Sequence, residues 1–254
     1  MDSCLPKSLC LLLASGRLSK QSVESRPSLL ILRHSDRPAL PPRSAGAELS
    51  LTPSGKARAR QLGTCLHALR IEPGAVLMTS PMTRTTQTLL NICAGANWHD
   101  RTESIEVSVR AFGIGNIFEK NFQFDDVISK FTTSGVHKYD ICQAFNEVSC
   151  GRIDVPGVRP CAQGACAHLR FITELLERQK QKSAPSGLSI LLAHDLNLAY
   201  LLAHYFDMKN FTSETWPPFL DGILIQLSNG EDERSVSLVY GNKVVDIDLT
   251  KEEV

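Results

Sequence analysis

Three short apolar runs in this chain each end in arginine or histidine. Leu29-Leu30-Ile31-Leu32 leads into Arg33-His34-Ser35-Asp36-Arg37-Pro38. Ala75-Val76-Leu77-Met78 leads into residues 79–88 around Arg84, and Leu188-Ser189-Ile190-Leu191-Leu192-Ala193 leads into His194-Asp195. If the three junctions converge, Arg33, Arg37 and Arg84 neutralise a phosphate dianion through charged hydrogen bonds of about 1.5–3 kcal/mol each. His34 then sits under the phosphorus as a neutral imidazole nucleophile, its pKa depressed by the arginines. The leaving alkoxide needs a proton, and Asp195 is the nearest candidate acid. Taken alone, the Arg-His-x-x-Arg cluster could also be a surface turn with ordinary charges, but three such junctions in one chain weigh against that.

Each apolar run is too short for an independent helix and reads as a strand buried on both faces, whose carboxyl end is where an open parallel sheet binds ligands. Thr52 as N-cap and Pro53 as first helical residue predict a helix with Leu62, Leu66 and Leu69 facing a core, and Lys56, Arg58 and Arg60 solvated. Strand, helix and strand at this spacing predict a right-handed crossover between parallel neighbours. Arg84 falls at a helix start, where it opposes the helix dipole but where N–H groups favour an anion. Residues 104–109 alternate as a third strand. Long helical patterns follow at 161–182 and 196–206, then a meander over 222–227, 235–240 and 243–249 with turns at Asn229-Gly230 and Gly241-Asn242. Residues 111–158 break the alternation, and Phe118, Phe122, Phe124, Val127, Ile128 and Phe131 suggest short helices forming a cap insertion that could act as a substrate lid. The expected fold class is α/β, a three-layer α/β/α sandwich with a mostly parallel, mixed central sheet and a small cap insertion.

The 254 residues carry 27 Lys+Arg against 27 Asp+Glu, so no overall field favours nucleic acid, and any anion site is local. A hydrophobic content of 43% is enough for a sizeable core. Residues 8–15, after Lys7, form the one leader-like stretch; they are too short to span a bilayer, and Asp2 and Gly16-Arg17 make a poor signal-peptide context. Residues 1–27 therefore read as an N-terminal extension or weak leader. The expected location is cytoplasmic, or secreted if residues 1–17 act as a signal peptide, in which case Asn210-Phe211-Thr212 becomes a glycosylation sequon. The eight cysteines lack close C-x-x-C pairs. Cys142, Cys150, Cys161 and Cys166 are compatible with two disulfides, a loose metal quartet or reduced thiols. His67, His99, His137, His168 and His204 read as surface or satisfied core residues.

In their order along the chain, Arg33-His34-Ser35-Asp36-Arg37, residues 80–88 around Arg84, and His194-Asp195 resemble the histidine phosphatase superfamily, in particular its acid-phosphatase branch. Pro217-Pro218-Phe219 before residues 223–227 resembles that branch's late strand. The resemblance spans residues 29–249 and implies a histidine phosphatase domain over 28–250, with 111–158 the least matched. It implies that His34 becomes a transient phosphohistidine, that Arg33, Arg37, Arg84 and His194 hold the phosphate, and that Asp195 is the general acid. It implies a small phosphorylated substrate, with no metal and no organic cofactor. Ser35 stands where the family has glycine, so its Cβ and hydroxyl would either slow the reaction or add a phosphate contact. The mutase-like branch expects a glutamate where this chain has Ala111. The implied activity is phosphomonoester hydrolysis; a phosphotransferase or mutase of the same fold, or a weak phospho-ligand binding module, are the rival readings.

Overall fold

The computed structural model describes residues 5–39, 47–120, 141–181, 187–228 and 235–251. Their strands form one mixed sheet of β1 (Ser28–Arg33), β2 (Pro73–Thr79), β3 (Glu106–Val107), β4 (Leu188–Ala193), β5 (Gly222–Leu227), β6 (Ser235–Tyr240) and β7 (Lys243–Asp248). The order across the sheet is β3-β2-β4-β1-β5-β6-β7. The first four of these run parallel and the last three extend the sheet antiparallel. Every residue of β1, β4 and β5 is buried, as strands covered on both faces require.

Leu69, expected to face the core, is exposed because the helix Pro53–Ala68 ends just before it, and two expectations about the strands change. β4 lies between β1 and β2, so the crossover from β1 to β2 skips a strand, and the two are parallel without being neighbours. The uninterrupted apolar run of β4 suits the central place, whereas β2 begins with Pro73 and has half-buried positions. The third strand shrinks to Glu106–Val107, because a 3-10 turn over His99–Ser104 runs up to it and α5 (Val109–Phe112) starts directly after it.

Alternation along β1 feeds two cores. Leu30 and Leu32 pack with α1 (Lys7–Ala14), α2 (Lys20–Ser25), α3 (Pro53–Ala68) and α4 (Thr83–Ala96) through Leu9, Leu12, Val23, Leu62 and Ile92. Leu29 and Ile31 pack on the other face with Leu169, Ile172, Leu176, Leu198 and Leu202. These last five come from α7 (Cys161–Gln181) and α8 (Asp195–Tyr205). Residues 7–25, read from the sequence as extension or leader, thus contribute fully buried leucines, and Ser8 hydrogen-bonds the buried Asp221 carboxylate. Among the described residues no helix is long and apolar enough to cross a membrane. The described cysteines are free thiols, and among the described residues no cluster of three or more His, Cys, Asp or Glu could hold a metal.

Of the expected cap, α5 and α6 (Ile141–Ser149) are described, joined to the body by Asn146, whose amide pairs with the backbone of Phe211 at 2.8 and 2.9 Å. Phe122, Phe124, Val127, Ile128 and Phe131 lie outside the described residues, as does the Asn229-Gly230 turn.

The helices behind the sheet's carboxyl edge, α3 and α4, meet backbone to backbone. A Cβ on Gly63 would fall on the Ile92 carbonyl oxygen, and one on Gly95 on the Arg60 carbonyl oxygen. Gly95→Ala should therefore destabilise the protein by about 1–3 kcal/mol through overpacking. The expected readout is a lower urea midpoint with unchanged slope; a wild-type midpoint would contradict this close crossing.

Candidate active site

Because β2, β4 and β1 are adjacent, their carboxyl ends place Ser80, His194 and His34 side by side. β1 and β2 lead to helices on one face and β4 to a helix on the other, so the chain diverges around this edge, the place where an open parallel sheet takes its ligands. The three junctions expected from the sequence do converge.

His34 is 2% exposed. Its Nδ1 faces the Ser35 carbonyl at 2.8 Å and, since a carbonyl only accepts, carries the proton; Nε2 is left as the acceptor, with Arg84 Nε donating to it at 3.1 Å. Burial, followed by the Arg84 and Arg33 charges, pushes the His34 pKa down to about 3, although the Ser35 carbonyl works the other way. The imidazole is thus neutral at physiological pH.

Ser35 is fully buried and turned into the fold, its hydroxyl donating to the Gly55 carbonyl (2.8 Å) and its N–H to Thr88 Oγ1 (3.0 Å). The extra atoms relative to glycine make structural contacts, so the expected hydroxyl contact to phosphate is not what this geometry offers. Arg58, expected to be solvated, instead donates to both Asp36 oxygens at 2.7 Å and pins the loop after His34. A short carboxylate was within reach of its guanidinium, and pairing wins over solvation at a half-buried position.

Arg33 pairs with Asp195 (3.0 Å), donates to the Pro217 carbonyl and lies 4.2 Å over the Phe219 ring. Arg37 donates to the Pro38 carbonyl at 2.8 Å. Among the described residues, the buried side-chain polar atoms without a partner are the Nε groups of Arg33 and Arg37. An orphaned buried donor costs about 1–3 kcal/mol, which an anion accepting from it removes. The crowding is also electrostatic. Burial and then Arg37 lower Arg84 to about 10, and burial lowers Arg37, with Arg33 adding to the effect. Two unpartnered donors in a cluster of mutually repelling cations have the chemistry that suits an oxyanion.

His194 opens α8, its backbone N–H donating to Asn197 Oδ1 at 3.0 Å. Its ring lies 5.5 Å from that of His34, while its Nε2 hydrogen-bonds Ser80 Oγ (2.8 Å), which in turn meets Thr85 Oγ1 (2.9 Å). Burial, then the nearness of His34 and Arg84, holds it well below the usual histidine pKa. Asp195 Oδ2 accepts from Arg33 and from the indole N–H of Trp216 (3.2 Å). Burial, the largest single influence, would raise this carboxyl, but Arg33, the neighbouring histidines and the Trp216 hydrogen bond together outweigh it and hold Asp195 below the usual carboxylate range. Ala111 is fully buried, so no carboxylate occupies that position.

Sequence reasoning missed Trp216, Phe112 and the stacking role of Phe219. The signal was Trp216-Pro217-Pro218-Phe219 itself, two aromatics held by prolines just before a core strand. Phe145 of α6 packs against Trp216 at 5.6 Å, which ties the cap segment to the candidate acid.

Burial of neutral His34, His194 and His168, the last also at about 3 because of burial and Arg110, has a consequence for stability. Unfolded histidines protonate near pH 6.5, so below that pH the unfolded chain binds protons that the folded one refuses. Stability should fall as pH drops from about 6.5 toward 3, by on the order of 1 kcal/mol per pH unit for each histidine. Urea midpoints at pH 7.5, 6 and 5 measure this, and a flat series would mean that the imidazoles are not buried and neutral.

The sequence matches no family model and no curated protein. The fold matches solved structures. A phosphoglycerate mutase from Bacillus anthracis str. Sterne superposes with a TM-score of 0.52 at 15% identity, over 89% of this chain and 93% of that one. A mycobacterial glucosyl-3-phosphoglycerate phosphatase gives 0.51 at 15% identity, over 85% and 98%. A phosphoserine phosphatase from Entamoeba histolytica in complex with phosphoserine gives 0.51 at 11% identity, over 89% and 99%. The chain therefore carries the phosphoglycerate mutase-like fold common to that mutase and those phosphatases.

Proposed function

We propose that this chain belongs to the histidine phosphatase superfamily and hydrolyses phosphomonoesters through a phosphohistidine on His34. The observation that carries the reading is His34 itself, a neutral imidazole with Nε2 facing Arg84, next to two arginines whose buried Nε donors lack partners. Arg33, Arg37 and Arg84 grip the phosphate oxygens. His34 Nε2 attacks phosphorus, the ester P–O bond breaks, and the departing alkoxide takes a proton from Asp195. Water then attacks the phosphohistidine, giving its proton back to Asp195 and releasing inorganic phosphate and free His34.

Asp195 starts ionised against Arg33, so its role as acid depends on the substrate. A bound dianion accepts the Arg33 hydrogen bonds and adds negative charge beside the carboxylate, and both changes favour the protonated form. His194 positions the pocket through Ser80 and gains a phosphate contact if that hydroxyl is exchanged for a phosphate oxygen. The His194-Asp195 pair, together with alanine at position 111, favours the acid-phosphatase branch. Within the expected cap, α6 reaches Asp195 through Phe145 and Trp216, which supports reading this insertion as the cap.

Phosphate release from p-nitrophenyl phosphate should be abolished in His34→Ala, along with the acid-labile phosphoryl group trapped on the wild-type protein by rapid quench. Retained turnover or labelling would overturn the reading. Arg84→Ala should lose about 10–100-fold in kcat/KM, the worth of one charged hydrogen bond, with weaker inhibition by inorganic phosphate. Asp195→Ala should slow alkyl phosphates by about 10²–10⁴-fold and p-nitrophenyl phosphate far less, because p-nitrophenolate leaves without a proton. Equal losses on both would make Asp195 a positioning residue for Arg33.

A further inference from the structure

We infer that Asp221 is a positioning residue for the candidate site, held by the hydroxyls of Ser8 in α1 and Tyr240 in β6, and that it keeps Arg33 where it grips phosphate; the inference rests on the phosphate-binding reading above and adds the distant segments that hold that grip in shape. Residues 216–221 border three of the groups on which the chemistry depends. The Trp216 indole donates to Asp195 (3.2 Å), and the Pro217 carbonyl accepts from the Arg33 guanidinium. The Phe219 ring lies 4.2 Å from that guanidinium and 5.5 Å from the His34 ring, and the Leu220 N–H donates to the His34 carbonyl at 3.3 Å. Leu220 takes a φ of +61°, a left-handed conformation that a leucine keeps only where its surroundings enforce it. Asp221 is placed to enforce it. Its N–H closes the turn on the Pro218 carbonyl (3.0 Å), and its carbonyl accepts the Arg33 backbone N–H (2.9 Å).

The Asp221 side chain is fully buried, and three segments far apart in sequence meet on it. One carboxylate oxygen accepts from the Ser8 hydroxyl and the other from the Tyr240 hydroxyl at 2.8 Å. Burial pushes its pKa up, against the Ser8, Tyr240 and Gly222 hydrogen bonds and the Arg33 charge. A buried carboxylate depends on its donors, so removing either hydroxyl leaves an oxygen unsatisfied. A shift of Asp221 toward another donor relieves this, and Arg33, bonded to the same short turn through its backbone and its side chain, moves with it. Both donors stand on firm elements. Leu9 and Leu12 of α1 are fully buried, and α1 lies against the turn after Tyr240, where a Cβ on Gly241 would come to 3.4 Å from Leu11 Cδ1.

Calorimetric binding of inorganic phosphate reads the grip of Arg33 without requiring turnover. Ser8→Ala and Tyr240→Phe should each weaken phosphate binding by about 2–10-fold, the worth of one hydrogen bond. Val23→Ala, in the apolar core shared with Leu9 and Leu12 but away from the Asp221 donors, should lower the urea midpoint and yet bind phosphate as the wild type does. In an Arg33→Gln background the two hydroxyl substitutions should add less than about twofold, because the group they act through is gone. Wild-type affinity in both hydroxyl variants, an equal loss in Val23→Ala, or a full additional loss in the Arg33→Gln background would overturn the inference, and continued hydrolysis of p-nitrophenyl phosphate would show that the hydrolase reading survives it. Phosphate binding that depends on Ser8 and Tyr240 in a protein that hydrolyses no ester would support the inference and overturn only the activity.

Discussion

The contact between Arg33 and Asp195 couples the ends of two central strands and sets the state of everything around it. It joins the last residue of β1 to the first residue of α8, just beyond β4. Taking both charges out of water is costly, and the pair is tolerated because Trp216, the Pro217 carbonyl and the Phe219 face complete the environment. The same pairing leaves Arg33 Nε orphaned and Asp195 ionised, so the unliganded site is both under-satisfied as a donor set and mis-protonated as an acid. On the proposed reading a phosphate dianion corrects both at once, which would make substrate binding the event that prepares the chemistry.

The positive cluster is stable because its other members carry no net proton load. His34 and His194 are buried and neutral, so two imidazoles sit close to these arginines without adding charge, and His168 behind them is buried and neutral as well. His168 faces the amides of Asn116 and Asn197 at 3.4 and 3.5 Å, and Asn197 in turn receives the His194 backbone N–H. The layer behind the candidate site is thus hydrogen-bonded but uncharged, and it leaves the arginine field undiluted.

Much of this was legible in the residues. The runs at 29–32, 75–78 and 188–193 are unbroken by Gly or Pro and read as buried strands, and each hands over to residues of the candidate site. What the sequence could not reveal were contacts between distant segments. Arg58 looks like one of several solvated helix residues until the loop folds Asp36 onto it, and Ser35 looks like an intrusion on the phosphate until Gly55 is seen beside its hydroxyl. Trp216 carried no local sign of touching Asp195. Strand order was equally hidden, since periodicity says which residues are buried but not which strand takes the centre.

That strand order bears on how the chain is made. β1 pairs only with β4 and β5, which begin at residues 188 and 222. A ribosome adding about 5–20 residues per second needs on the order of ten seconds or more to travel from the end of β1 to the end of β4. Throughout that interval the Leu29–Leu32 segment has no native strand to pair with, and β2 lacks its partner on one side. An apolar strand waiting with open edges is a template for the wrong neighbour. The arrangement that brings His34 and His194 together from opposite ends of the chain therefore makes the nascent polypeptide a natural client for chaperones, and slower translation between residues 33 and 188 would lengthen its most aggregation-prone stage.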